Sequence, residues 1–173
     1  MLPVMQTRKL TLRPLHEDDF EALYRIQSDD QAMKYTYTAT SLEEFSDHIR
    51  AYAKLESTIG YAPWAAVHTD SGILCGWGGL GVDPFYPGWG VEISYFFDPH
   101  FWGRGLATEL VRASLEFGFQ DIGLPRIGAF AHPDNQASTR VLEKCGFRLL
   151  GYEPKLARNQ YEIRSEWWQR LPS

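Results

Sequence analysis

The segment between residues 91 and 131 constrains the fold more than any other part of this chain. Val91–Phe97 alternates between an apolar face and a mixed face, which predicts a strand. A glycine-containing turn follows, then an amphipathic helix over Gly105–Phe119 and a second strand over Pro125–Ala131. Two strands joined through a single helix pair in parallel when they lie side by side. We therefore expect one parallel pair within the sheet.

The remaining strands are predicted to pair as antiparallel neighbours. Trp64–Thr69 and Ile73–Val82 flank the turn sequence Asp70-Ser71-Gly72 and form a hairpin. Glycines at 76, 78 and 79 in its second arm indicate a bulge or a close approach of two backbones. The sequence thus predicts an α+β fold with a mixed sheet. The other predicted elements are strands over Thr7–Leu15, Phe147–Tyr152 and Gln160–Trp168, and helices opening at Glu17, over Ser41–Ser57 and over Asn135–Cys145.

Composition and charge exclude several classes of protein. The 173 residues are 44% hydrophobic and 23% charged, which is typical of a globular chain. We expect a single domain over 1–173 with its core at about 7–168. The net charge of −5 argues against nucleic acid as a partner, because phosphate binding favours basic proteins. No stretch of about 18 uncharged apolar residues is present, and the N-terminus does not resemble a signal peptide. We expect neither a membrane span nor export.

The cysteines and histidines carry no signal of a disulfide or a metal site. Cys75 and Cys145 lie far apart and without CxxC spacing. We expect free thiols in a reducing cytoplasm. His16, His48, His68 and His132 have no metal-ligand spacing. They are expected to be surface or core residues, and no metal is expected.

The start of the helix near residue 105 carries the strongest chemical signal. Small residues at Gly103, Gly105 and Ala107 leave backbone N–H groups open at a helix N-terminus, an arrangement that binds phosphate. Arg104 adds a positive charge nearby, and Thr108 adds a hydroxyl. A dinucleotide fingerprint would need a third glycine where Thr108 stands, and the nucleotide loop GxxxxGK(S/T) is absent. A coenzyme A pyrophosphate loop and a plain helix start selected for packing both remain open at this point.

Three sequence blocks, in matching order and spacing, resemble the GNAT family of N-acetyltransferases. The first is the family's coenzyme A loop, Gln/Arg-x-x-Gly-x-Gly/Ala, in which Trp102 replaces the leading residue. The second is a short helix led by Asn135, and the third is the N-terminal strand Thr7–Pro14. The blocks are similar to the RimJ/RimL-like branch, and the resemblance covers about residues 7–166. The matched positions are Gly105 and Ala107 in the first block and Asn135, Gly146 and Phe147 in the second.

This resemblance implies the GNAT fold, with a mixed, mostly antiparallel sheet that is splayed between its fourth and fifth strands. Acetyl-CoA would lie in the resulting cleft, where its pantetheine arm can pair with exposed backbone like an added strand. The residues implied in cofactor binding are Phe96, Phe97, Trp102, Gly103, Arg104, Gly105, Leu106, Ala107, Thr108, Asn135 and Ser138.

Acetyl transfer from a thioester to an amine needs a base for the amine and an acid for the leaving thiolate. Glu92 on the fourth predicted strand is the candidate base, because a carboxylate in an aromatic-lined cleft has a raised pKa. Many members of the family use a tyrosine as the acid, but Leu142 occupies that position here. Ser138 is the candidate acid that the RimJ/RimL-like resemblance implies. Asp98 and His100 are weaker alternatives to Glu92.

The resemblance therefore implies an acetyl-CoA-dependent N-acetyltransferase that acts by direct transfer to a primary amine. The acceptor is either a protein N-terminus or a small molecule, and the enzyme is a monomer or homodimer. A catalytically silent acyl-CoA-binding module is the alternative, since Leu142 removes the usual acid. A nucleotide-binding regulator is a second alternative. The aromatic residues that are candidates to line the acceptor pocket are Tyr35, Tyr37, Trp77, Phe85, Tyr86 and Trp89.

Overall fold

Eight strands form one mixed sheet in the computed structural model, which describes residues 1–172. The strands are β1 (Met5–Gln6), β2 (Leu10–Pro14), β3 (Trp64–His68), β4 (Leu74–Val82), β5 (Val91–Phe97), β6 (Arg126–Ala131), β7 (Arg148–Glu153) and β8 (Arg158–Arg164). Their order across the sheet is β1-β2-β3-β4-β5-β6-β8-β7. The pair β5–β6 is parallel and its neighbours are antiparallel, which confirms the mixed sheet and the predicted crossover.

Helices cover the two faces of this sheet. The helices are α1 (Phe20–Gln27), α2 (Leu42–Ala53), α3 (Leu55–Ile59), α4 (Leu106–Glu116), α5 (Gln136–Lys144) and α6 (Ser165–Trp168). Leu110 of α4 packs in a core with Ile93 of β5. On the opposite face, α1 and α2 pack around Trp77 of β4. Across residues 1–172, no helix has the length and apolar character needed to cross a membrane.

One predicted strand proves too long. The strand expected over Gln160–Trp168 ends at Arg164, since the chain turns there into α6. The backbone N–H of Ser165 donates to the carbonyl of Pro125 at 3.1 Å, which turns the chain away from the sheet edge. The Trp168 ring then packs against Phe119, with the ring centroids 5.4 Å apart. Tertiary contacts therefore override the strand-like pattern of this segment.

The predicted helices exist, with shifts at their ends. Ser41 caps α2 by accepting a hydrogen bond from the Glu44 backbone N–H at 3.1 Å, as the capping sequence predicts. The helix expected over Ser41–Ser57 is interrupted at Lys54, between α2 and α3. The helix expected to reach Phe119 is α-helical only to Glu116, and a π-helical turn follows it.

The sheet is splayed between its two parallel strands. β5 pairs with β4 along its whole length, and β6 pairs with β8 along its whole length. Between β5 and β6, however, the register contains a single pair, Glu92 with Gly128. The strands diverge beyond that point, which leaves the β6-facing edge of β5 open toward Phe97. The splay that the resemblance implied is confirmed.

The glycines of β4 bring β5 close to it. A Cβ at Gly76 would collide with the carbonyl oxygen of Phe96, and a Cβ at Gly78 with that of Ser94. The register between β3 and β4 also shifts between Ala66 and Val67. The glycines predicted a bulge or a close approach of two backbones, and the structure contains both. Both cysteines are free, as expected, and both are buried.

Candidate active site

A cavity of about 1410 Å³ opens where β5 and β6 diverge. Residues 92–97 of β5 and 129–131 of β6 form its base, and the starts of α4 and α5 line its sides. Residues 31–37, one face of α2 and the turn before β5 close the other end. The rings of Tyr35 and His132 stack at 5.1 Å, which joins the loop between α1 and α2 to the far half of the sheet.

The start of α4 is an uncapped helix N-terminus. Gly103 and Gly105 have φ angles of +73° and +77°, a region in which glycine is favoured. Gly105 is the N-cap residue and no side chain caps the helix, so the first N–H groups of Leu106, Ala107 and Thr108 have no acceptor within it. An added Cβ at either glycine would meet nothing within 4 Å. This is an open cradle for an anion.

Only some of the predicted cofactor-binding residues line the cavity. Trp102, Gly103, Leu106 and Ala107 line the cavity, as do Phe96 and Phe97 of β5; Arg104, Gly105 and Thr108 do not. The Arg104 guanidinium lies 4.9 Å from the centroid of Phe101, and it donates to the His100 carbonyl at 3.1 Å. The Thr108 side chain is buried, so only its backbone N–H is suited to contact an anion. The Trp102 indole is 54% exposed and donates to the Phe97 carbonyl at 2.9 Å.

Glu109 connects this helix start to the N-terminal block. Its carboxylate accepts from the Thr7 hydroxyl at 2.7 Å and from the Lys9 backbone N–H at 2.9 Å. The Lys9 ammonium donates to the Arg104 carbonyl. Two of the sequence blocks that carry the resemblance are therefore in direct contact, and the N-terminal block holds the glycine turn in place.

Glu92 lies in the cavity at the point where β5 and β6 still pair. Its carboxylate takes part in no hydrogen bond or ion pair with the residues that the structure describes. Burial, and secondarily the negative charge of Asp83, raise the pKa of Glu92 to about 7. A carboxyl group with that pKa is well suited to accept a proton near neutral pH. Asp98 and His100 do not line this cavity; they pair with each other at 2.8 Å in the turn after β5.

Ser138 is hydrogen-bonded to a residue that the sequence did not single out for catalysis. Its hydroxyl lies 2.8 Å from the phenol oxygen of Tyr95, and both residues line the cavity. Burial raises the pKa of Tyr95, so the phenol stays protonated. Leu142 also lines the cavity and is 1% exposed, so no hydroxyl is supplied from that position. Asn135 caps α5 by accepting from the Ser138 backbone N–H at 3.1 Å.

The far end of the cavity is lined by aromatic rings. Of the predicted acceptor residues, Tyr35, Tyr37, Trp77, Phe85 and Tyr86 line the cavity. Trp89 does not line it, because its ring packs edge-on against Phe130 with centroids 5.3 Å apart. His48 and Tyr52 also line this end and were missed. Their spacing from Glu44, four and eight residues along α2, is the signal that could have placed all three on one helix face.

Known proteins resemble this chain in sequence and in fold. Residues 9–148 match the family model of the acetyltransferase (GNAT) domain. The chain is 31% identical over 153 residues to the uncharacterised N-acetyltransferase YoaA of Bacillus subtilis strain 168, covering 87% of this chain and 86% of that protein. A GNAT-family acetyltransferase structure from Bacillus anthracis superposes with a TM-score of 0.77 at 27% identity, covering 95% of this chain and 99% of that one.

A further solved structure is similar in fold. RimL, a ribosomal alpha-N-protein acetyltransferase in complex with coenzyme A, superposes with a TM-score of 0.75 at 21% identity, and the match covers 93% of this chain and 97% of that one. At that identity, the likeness concerns the fold alone.

Proposed function

Because the chain belongs to the GNAT family of acetyltransferases and is an enzyme of that family, we propose that it moves an acetyl group from acetyl-CoA directly to a primary amine. The proposal rests on one observation: a single cavity contains both a helix start suited to an anion and a carboxyl group suited to accept a proton. An uncapped helix N-terminus lies past one end of β5, and Glu92 lies near the other end. A strand of this length spans about 20 Å, so an extended cofactor can reach both.

The residues present fit acetyl-CoA. The open space at Gly103 and Gly105 and the free N–H groups of Leu106 and Ala107 suit a pyrophosphate. The exposed edge of β5 suits the amides of a pantetheine arm, since only Glu92 pairs across the gap to β6. When bound, acetyl-CoA supplies a thioester carbonyl as the electrophile.

Glu92 acts as the base in this proposal. It accepts a proton from the amine, directly or through water, while the amine nitrogen forms a bond to the acetyl carbon and the carbon–sulfur bond breaks. The electron pair of that bond leaves with the thiolate of CoA. The raised pKa of Glu92, about 7, matches a base that works near neutral pH.

Ser138 and Tyr95 together supply the proton to the thiolate. The Ser138 hydroxyl gives up its proton to the thiolate, and the Tyr95 phenol, 2.8 Å away, replaces it. Solvent then returns a proton to Tyr95 and takes the proton from Glu92, which restores both groups. Burial raises the pKa of Tyr95 and favours the protonated phenol, so Tyr95 carries its proton at neutral pH. The pair takes the place of the tyrosine that many family members use where Leu142 lies here.

Removing either hydroxyl tests this pair. We expect Ser138→Ala and Tyr95→Phe each to lower kcat about 10-fold, and the double variant to fall by about the same factor, because the two groups act as one unit. The KM for acetyl-CoA should change less than twofold in Tyr95→Phe. Steady-state kinetics measure these changes in kcat and KM. The control is Thr139→Val, which removes a hydroxyl on the same helix outside the cavity. Full additivity of the two losses would contradict a shared role.

The proposed function itself is tested by calorimetric binding of CoA together with a thiol-release assay on peptides and small amines. Binding together with amine-dependent thiol release supports it. CoA binding without release to any amine would favour the silent acyl-CoA module. Protection against heat by ATP or NAD but not by CoA would favour the nucleotide-binding regulator. The cytoplasmic location and the choice between monomer and homodimer stay predictions.

A further inference from the structure

The end of the cavity beyond Glu92 is a chamber walled by aromatic rings. His48 stacks on Tyr37 with centroids 4.4 Å apart and on Phe85 with centroids 5.1 Å apart. Tyr52 meets His48 at 5.3 Å and meets Trp77 edge-on at 5.6 Å. All five rings line the same cavity. Their faces offer an apolar wall and the negative π surface that attracts a cation.

Three carboxylates line this chamber without a cationic partner. They belong to Glu44, Asp83 and Glu92, and none forms an ion pair with any side chain in residues 1–172. Asp47 also lines the cavity, but Arg50 pairs with it at 2.8 Å. No basic side chain within residues 1–172 therefore forms an ion pair with any of the three carboxylates.

The two basic side chains that line the cavity, Lys34 and Arg158, contact Tyr35 and not the three carboxylates. Arg158 donates to the Tyr35 carbonyl at 3.0 Å and to the Ala157 carbonyl at 3.0 Å. The Lys34 ammonium lies 5.1 Å from the Tyr35 ring centroid. His48 does not compensate either, because burial lowers its pKa and leaves the ring neutral at pH 7.

We propose, on the basis of the proposed function, that the acceptor is a small amine with a second positive charge on an apolar spacer. One nitrogen lies at Glu92, where it loses its proton and takes the acetyl group. The spacer lies against the rings of Tyr52 and Phe85 and the edge of His48, and the second cation lies against Asp83 and Glu44. A peptide N-terminus fits less well, because its backbone amides need hydrogen-bond partners that ring faces do not supply.

Two roles of the carboxylates can be separated by amide substitution. Asp83 Oδ1 accepts from the backbone N–H groups of Phe85 and Tyr86 at 2.8 and 3.1 Å, and Glu44 accepts from the Tyr37 hydroxyl. Asp83→Asn keeps the acceptor oxygen for both of its bonds and removes only the charge. Glu44→Gln keeps an acceptor for the Tyr37 hydroxyl, but it gives up the 3.3 Å bond that the second carboxylate oxygen accepts from the Thr40 backbone N–H. Glu143→Gln, an exposed site on α5 outside the cavity, is the matched control for charge.

The test uses the protein as described and compares two acceptors, hexamethylenediamine and hexylamine. The diamine carries a second ammonium group that hexylamine lacks. We expect the diamine to have a kcat/KM at least about 10-fold higher at low salt. In the Asp83→Asn/Glu44→Gln double variant this preference should fall below about threefold, and in Glu143→Gln it should persist. Equal use of both amines, a preference that the double variant retains, or better use of a peptide that lacks lysine and arginine would each overturn the inference.

Calorimetry separates this inference from the proposed function. In one outcome, the diamine binds in the presence of CoA, this binding weakens in the double variant, and no thiol is released from acetyl-CoA. That result would support the chamber as a dication site and refute the transferase. Thiol release with no preference for the diamine would support the transferase and refute the dication site.

Discussion

Replacing Glu92 with glutamine is expected to lower kcat at pH 8 by a factor of about 100 to 1000, the usual contribution of a positioned base. Glutamine keeps the size of the side chain but cannot accept the proton of the attacking amine. Thiol release measured at saturating acetyl-CoA checks this. CoA affinity should change little, because Glu92 lies near the start of β5, whereas the helix start that suits the pyrophosphate lies past the other end of that strand. A variant that retains more than about a third of the wild-type kcat would remove Glu92 from the mechanism.

The pH dependence of kcat is a second test of Glu92. Below its pKa of about 7, Glu92 is protonated and has no capacity to accept a proton. The wild-type kcat should therefore fall as the pH decreases through about 7. The residual activity of Glu92→Gln should lack that acidic limb. A limb that persists in the variant would assign the titration to another group.

The stability of the same variant should change in the opposite direction to its activity. The pKa of Glu92 rises from about 4.5 in the unfolded chain to about 7 in the fold, so ionisation opposes folding. The stability that the protonated carboxyl group provides, relative to the ionised one, is fully present below pH 4.5 and is lost as the pH rises through about 7. Glu92→Gln removes that loss, which at about 1.4 kcal/mol per pKa unit amounts to about 3 kcal/mol at pH 8.

Urea unfolding at pH 8 and pH 4.5 measures this effect, which should be present at the first pH and absent at the second. Glu162→Gln is the contrasting control, because Glu162 is also buried but pairs with Arg164 at 2.7 Å. That variant should lose stability, since it breaks a charge pair. Destabilisation of Glu92→Gln at pH 8 would indicate that Glu92 supports the fold and is not a strained catalytic base.

The second large effect is expected at the start of α4. Gly105→Asn should raise the Kd for CoA at least about 30-fold while the protein stays folded, because asparagine tolerates a positive φ better than other side chains. Its amide would occupy the open space above the helix start, and its oxygen would compete for the free N–H groups. Isothermal calorimetry with CoA measures the change.

Gly72→Asn is the matched control for that substitution. Gly72 has a φ of +67° and open space around it, but it lies in the turn between β3 and β4, outside the cavity. The two variants should therefore have similar melting temperatures and very different CoA affinities. Wild-type affinity in Gly105→Asn would show that the anion of the cofactor lies elsewhere.

The local signals in the sequence predicted the elements that build the site. Alternation in Val91–Phe97, the glycines before α4 and the Asn135 helix start each reflect a period or a backbone requirement, and such features act over a few residues. Glu92 could be named from them because its face on β5 follows from the alternation. The role of Tyr95 could not, because the same alternation assigns it to the apolar face with Val91 and Ile93.

The sequence alone determined the fold class, the single parallel pair and the position of the glycine turn at the start of α4. These follow from hydrophobic period, connection length and glycine placement, which are properties of adjacent residues. Only the tertiary structure decided that β8 inserts between β6 and β7, that Tyr95 meets Ser138 across the cleft, and that His48, Tyr52 and Asp83 share a chamber with Glu92. These contacts join residues tens of positions apart. The physical reason is that packing, and not local periodicity, selects which distant side chains come together.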